Sequence, residues 1–369
     1  MFADLGFESL TAPQAAVWFG LALGLAFGAL AQVTAFCLRR GLVGEDCRGA
    51  LAVWLAALAV ATLGTQIAVA RGWVAFDDHR LMTGNLPIAA ILLGGLLFGA
   101  GMVLARGCVA RLTVLGAGGN LRALTVVTLF AVTAHATLKG ILSPLRTSIG
   151  SLTLDLPSAS LATLPGGAAL WTGLIAASAA AFALRHRPGR GLLAGAVAIG
   201  ALVPLGWVGT GLVLFDDFDP IALESLSFTA PWADSLFFTV ASTAIPANFG
   251  IGLIGGTLVG AALLAALRGQ FRWQSFTSPR ETGRYLAGAV LMGFGGVLAG
   301  GCTVGAGLAG IPTLSVAALL PLAAVDQPLK AGSVGPRCRA IDPPGMALAS
   351  RCRRQGVVLL GLIGSRHQR

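Results

Sequence analysis

Charge is what this sequence has least of. Asp, Glu, Lys and Arg make up 11% of its 369 residues, while hydrophobic residues make up 56% and the mean hydropathy is +0.82. A soluble domain carries roughly 25% charged residues because its surface must be wetted. This chain lacks the polar residues to cover a globule in water, so lipid is its outer solvent.

Further absences narrow the reading. No Cys-x-x-Cys pair or Cys/His spacing suits zinc or an iron–sulfur cluster, so neither a metal nor a cofactor is expected. Six cysteines in such a chain do not make a disulfide framework. Cys47 lies in a polar loop and reads as an ordinary loop thiol. The opening MFADLGFESLTAP has acidic Asp4 and Glu8 and no basic region, which argues against a cleaved signal peptide. Net charge is +10, but no basic face interleaved with aromatics accompanies it, so nucleic acid is not a partner. Eight basic residues against Asp326 and Asp342 place +6 in residues 326–369, and the remaining +4 lies in loops between apolar runs.

What is present is a repeat. Gly94 to Cys108 (GGLLFGAGMVLARGC) returns as Gly288 to Cys302 (GAVLMGFGGVLAGGC), nine identities in fifteen positions at a constant offset of 194. A weaker echo sets Phe27-Gly28-Ala29 ten residues before Cys37, as Phe98-Gly99-Ala100 stands ten before Cys108. Around these, apolar runs of spanning length begin near residues 14, 49, 86, 121, 166, 191 and 285. Residues 235–267 are too long for one straight span and are broken at Ile245-Pro246-Ala247-Asn248, giving a short helix and then a full one. Thr313 to Val325 is apolar for only 13 residues.

The expected fold is an all-α polytopic membrane protein of about nine helices. Residues 1–145 form a first half, 146–165 a polar linker, 166–325 a second half and 326–369 an atypical basic tail, frameshifted or disordered. Basic loops favour the cytoplasm, which assigns 38–48, 185–190 and 268–284 inside and the acidic stretch 215–234 outside. The run before Cys108 then points inward and the run before Cys302 outward. Inverted repeats with glycine-interrupted segments mark a transport site near the midplane, where the two re-entrant Gly-Cys half-helices should meet. Irregular backbone at that depth must be surrounded by protein.

A thiol is a weak donor with a soft, polarizable sulfur. Gly107 and Gly301 would let a ligand approach the backbone, and a half-helix starting at each turn would aim its positive end at an anion. Thr303 adds a hydroxyl to the second turn.

Here the chain resembles the YeeE/YedE family of sulfur-compound transporters, whose characterised members take up thiosulfate. The resemblance rests on Phe36-Cys37-Leu38-Arg39, on Ala105-Arg106-Gly107-Cys108 with Gly119-Asn120-Leu121-Arg122-Ala123-Leu124, and on Gly300-Gly301-Cys302-Thr303-Val304-Gly305-Ala306-Gly307-Leu308. It implies inverted halves, a constricted centre, and Cys37, Cys108 and Cys302 passing thiosulfate along by S–H···S contacts. It also implies a multi-pass protein of the bacterial inner membrane, with a soluble sulfur-carrier protein of the TusA type as partner. Some members carry a further cysteine in the second half; the Ala241-Ser242-Thr243-Ala244 region here offers only hydroxyls.

Secondary candidates are Arg106 and Arg111 at the cytoplasmic mouth, and His135 and Lys139, spaced i,i+4 inside a span. Lys139 equally suits a snorkelling role, and Asn120 and Asn248 suit helix caps. Two readings compete. One is a permease for thiosulfate or a related small sulfur oxyanion. The other is a membrane thiol oxidoreductase or sulfur transferase using Cys108 and Cys302 as a redox pair.

Overall fold

The computed structural model describes residues 11–332 apart from residues 45, 78, 83, 156–158, 217 and 218. The tail from residue 333, expected to be frameshifted or disordered, lies outside the described residues. The framework is helical: α1 (Ala12–Thr34), α2 (Leu38–Val43), α3 (Cys47–Ala70), α4 (Ile88–Leu104), α5 (Val109–Ala117), α6 (Leu121–Lys139) and α7 (Ser143–Gly150) precede α8 (Gly167–His186), α9 (Arg190–Val208), α10 (Thr229–Val240), α11 (Phe249–Leu267), α12 (Pro279–Leu298) and α13 (Val316–Gly332). Among the described residues eight spans are long and apolar enough to cross a membrane, against about nine expected; the shorter apolar Val316–Leu329 follows them.

Local chemistry sets the helix ends. Thr11 and Gln14 form a capping box that spans Pro13 in the first turn of α1. Asn120 and Asn248 cap α6 and α11, accepting from the amides of Ala123 and Ile251 as their residue types suggested. The chain breaks around Pro246 between α10 and α11, as expected.

Two glycine-lined contacts hold the bundle. α1 and α11 run parallel: Gly20, Gly24 and Gly28 face the carbonyls of Phe249, Leu253 and Thr257, while Gly252, Gly256 and Gly260 face those of Val17, Leu21 and Leu25. Small residues every fourth position let helix backbones touch where lipid gives no hydrophobic drive to associate. α4 and α12 instead cross antiparallel, with Gly94 against Gly295 and Ala299, and Gly101 against Gly288 and Met292. Gly94 and Gly288 are repeat partners, as are Gly101 and Gly295, so each copy touches the other at equivalent positions. Outside them, Gly99 of α4 packs on Val325 of α13 as Gly293 of α12 packs on Phe130 and Thr133 of α6.

The basic loops gather at one end. Thr34, ending α1, touches Gly195 near the start of α9. Leu121 donates its amide to the Gln274 carbonyl, and Arg122 pairs with Glu281 at 2.8 Å. At the opposite end a short strand β1 (Asn85–Leu86) pairs antiparallel with β2 (Leu154–Asp155) from the linker.

The expected segment boundaries meet helices. α7 runs through the start of the linker, α10 begins at Thr229 inside the acidic stretch read as a loop, and α13 continues past residue 325 to Gly332. Cys47, expected to be an ordinary loop thiol, opens α3 and is disulfide-bonded.

Candidate functional site: three cysteine-capped turns

Cys37, Cys108 and Cys302 share one local build. The residue two before each, Ala35, Arg106 or Gly300, is left-handed, with φ of 49°, 56° and 73°. A left-handed residue ends the incoming helix. The cysteine, in extended conformation, then stands at the N-cap of the next element: α2, α5 and a π-helical segment, Thr303–Gly310. At the last, the Gly305 amide donates to Cys302 Sγ at 3.4 Å. The corresponding amides of Arg40 and Arg111 face Cys37 and Cys108 without closing a cap hydrogen bond. The sulfurs therefore lie at the partially positive ends of helical turns.

The turns come together in the core. Cys37 Sγ and Cys108 Sγ stand 3.8 Å apart, and the Thr303 hydroxyl is within hydrogen-bond reach of the Cys108 thiol. Cys37, Cys108 and Cys302, free thiols, are 8%, 2% and 2% exposed, so their sulfurs are shielded from solvent in this conformation. Gly107 is buried under the Leu112 side chain, and Gly301 lies against the Ala306 amide.

Long-range ties hold the half-helices. Trp232 Nε1 donates to Thr113 Oγ1 on α5 at 2.8 Å. The Gly118 carbonyl accepts from the Arg272 amide, anchoring the end of α5 at the basic end. The π-helical segment ends at the opposite end, where Gln66 Nε2 donates to the Pro312 carbonyl at 2.7 Å.

The two approaches to the cysteines differ in charge. On the basic side Arg39 reaches the Arg106 carbonyl at 3.5 Å and Arg111 the Ala31 carbonyl at 3.3 Å. Both guanidiniums act on Cys37 and Cys108, while the Arg106 side chain is exposed. On the other side lies a cavity of about 510 Å³, whose lining includes Asp77, His79, Arg80, Glu224, Ser227 and Gly305. Arg80 lies within electrostatic range of Cys302. Burial pushes the Glu224 carboxyl up to about 7, with Asp234 adding to the rise and Arg80 opposing it. Burial, reinforced by the Arg80 charge, lowers His79 to about 4. This vestibule was not legible in sequence, because its walls come from loops about 150 residues apart.

The remaining candidates lie elsewhere. His135 stacks on Phe237 of α10 with ring centroids 4.6 Å apart, and Lys139 is exposed in the last turn of α6. Ser242, Thr243 and Ala244 are exposed in the loop between α10 and α11; the N-cap of α10 is Phe228. The thiol contact observed is Cys37–Cys108 rather than the Cys108–Cys302 redox pair of the competing reading. Among the described residues no group of His, Cys, Asp and Glu could hold a metal ion.

A family model described as sulphur transport matches residues 31–325. The thiosulfate transporter TsuA of Spirochaeta thermophila is 27% identical to this chain over 333 residues, covering 82% of this chain and 94% of that protein. The thiosulfate transporter TsuA of Escherichia coli K12 is 29% identical over 329 residues, covering 78% and 86%. These relatives are named as transporters, not as enzymes.

Proposed function

This chain belongs to the sulphur-transport family, and on that premise we propose that it is an inner-membrane permease taking up thiosulfate through the cysteine constriction. The observation that carries the proposal is the Cys37–Cys108 contact of 3.8 Å with the Thr303 hydroxyl beside it. Thiosulfate has sulfate-like oxygens and a terminal sulfur that accepts a weak S–H hydrogen bond. A thiol holds that sulfur without trapping it, and conduction requires binding sites an ion can leave.

Read in order, the anion enters the Arg80 vestibule, meets the Cys302–Thr303 turn, passes to Cys108 and Cys37, and leaves among Arg39, Arg106 and Arg111. The two halves act as inverted repeats, each supplying one turn. Basic loops at the exit assign that end to the cytoplasm. A soluble sulfur-carrier protein of the TusA type would collect the anion there.

The test is uptake of ³⁵S-thiosulfate in cells lacking other sulfate and thiosulfate permeases. Cys108→Ala and Cys302→Ala should each lower the uptake rate at least about tenfold at unchanged protein level, the loss of one weak charge-assisted contact. Undiminished uptake by the double variant would rule out the thiol relay. No uptake by the unaltered chain, with sulfate or sulfite carried instead, would reassign the anion.

A further inference from the structure

The vestibule beside Cys302 contains an acid, although the proposed cargo is an anion. Glu224 lines the cavity together with Asp77, His79 and Arg80 from the stretch after α3, and with Gly305, one turn into the π-helical segment that Cys302 caps. Its backbone is fixed from both sides. The Thr210 hydroxyl donates to the Glu224 carbonyl at 2.8 Å and accepts from its amide at 3.1 Å. Thr210 itself lies in a π-helical turn, Gly209–Val213, an irregularity that often marks function. These two bonds fix the Glu224 backbone where the residue lines the cavity.

We propose that Glu224 is a specificity-determining residue of the vestibule that admits the anion together with a proton, so that anion and proton occupy the cavity as a pair. The inference rests on the reading of the chain as a thiosulfate permease. The charges facing Glu224 are Arg80 and the like-charged Asp234 of α10, with Asp77 and His79 on the same cavity wall. As a carboxylate Glu224 opposes a second anion beside Arg80. As a carboxylic acid it removes that repulsion and offers an O–H donor to an anion oxygen.

Sign and range follow from the surroundings. Burial pushes the Glu224 carboxyl up to about 7, and a dianion beside it raises it further. His79, held at about 4, stays neutral and does not contribute over the same range. Affinity is therefore full below pH 7 and falls as pH rises through 7. Linkage makes the effect reciprocal: a proton strengthens anion binding by the factor that the anion strengthens proton binding.

The experiment uses the full chain in proteoliposomes, with ³⁵S-thiosulfate counterflow measured at equal pH on both faces from 6.0 to 8.5. Equal pH removes any proton gradient. The unaltered protein should show KM rising about twentyfold between pH 6.5 and 8.5, as the fraction of the one carboxyl that is protonated falls nearly tenfold per pH unit well above the midpoint. E224Q, a permanent mimic of the neutral acid, should hold the low-pH KM across the whole range. E224D should keep a pH-dependent KM, which separates loss of the acid from loss of packing. A flat KM in the unaltered protein overturns the inference, as does an E224Q profile with the same slope as the unaltered protein. If the unaltered protein carries no thiosulfate at any pH, the permease reading fails instead.

Discussion

The Cys108 and Cys302 turns are copies of one backbone in two electrostatic settings. Each has a left-handed residue two before the cysteine and the cysteine at an N-cap, and each incoming helix crosses the other at repeat-equivalent glycines. Their surroundings have diverged. Cys108 is followed by a regular helix and flanked by Arg39 and Arg111. Cys302 is followed by a π-helical segment whose Gly305 lines a vestibule that mixes Arg80 with Glu224 and Asp77. The two like turns thus meet between unlike surroundings, the two mouths of the proposed constriction. On the proposed route an anion would meet Glu224 and Arg80 on one side and Arg39 and Arg111 on the other.

The crossing of α4 and α12 is the part of the comparison most open to a direct break. An added Cβ at Gly101 would lie 2.6 Å from Met292 Cγ, and one at Gly295 would lie 2.6 Å from the Phe98 amide nitrogen. Gly101→Val and Gly295→Val should each destabilise the protein by about 2–4 kcal/mol, the cost of overpacking against backbone, since the Gly288 and Gly94 carbonyl oxygens would each lie 2.7 Å from the added Cβ. Thermal unfolding in detergent measures this, and the two variants should fall together. A large loss in one and none in the other would break the symmetry of the crossing.

The unlike mouths should separate kinetically. On the proposed route Arg80 acts on entry, so Arg80→Gln should raise KM for thiosulfate about fivefold at a nearly unchanged maximal rate. Arg111 acts beside Cys37 and Cys108, beyond the first turn, so Arg111→Gln should lower the maximal rate by a similar factor and leave KM nearly unchanged. These magnitudes correspond to about 1 kcal/mol for one charge at partly buried range. If both variants change the same parameter, the two mouths are not functionally distinct.

The sequence made the cysteine turns visible because the Gly-Cys repeat ends without a gap and its flanking glycines survive in both copies. Asn120, Asn248 and Pro246 likewise act locally, so their caps and break could be read from residue type. Three features were hidden for physical reasons. The left-handed conformations of Ala35 and Arg106 fall on residues that rarely adopt them, so nothing in their identity announces the turn. The glycines of α1 and α11 are visible as i,i+4 series, but their meaning depends on partners more than 200 residues away. The i,i+4 spacing of His135 and Lys139 suited either a polar path or a snorkelling lysine, and only tertiary packing shows the His135 ring stacked on Phe237 and Lys139 in the exposed last turn of α6. Composition shifts also misplace helix ends: Asp234 sits within α10, and Asp326 lies within α13. A single acid does not end a helix that packing holds.

The smallest expected effect isolates the left-handed position two before each cysteine, where the copies differ in residue type but not in conformation. Gly300 and Arg106 are both left-handed, with φ of 73° and 56°. Glycine reaches that region freely, whereas a residue with a Cβ is strained there by about 1 kcal/mol. An added Cβ at Gly300 meets no atom within 4 Å, so Gly300→Ala tests conformation alone and not crowding. It should cost about 1 kcal/mol. Arg106→Gly removes the same strain from the other copy and should recover a few tenths of a kcal/mol, because the more flexible unfolded chain offsets part of the gain. Arg106 accepts from Arg39 through its backbone carbonyl, so that contact survives the change. Melting temperatures in detergent should therefore move in opposite directions for two substitutions at equivalent positions. Movement in the same direction would mean that the Arg106 guanidinium, and not its backbone, is what the first turn depends on.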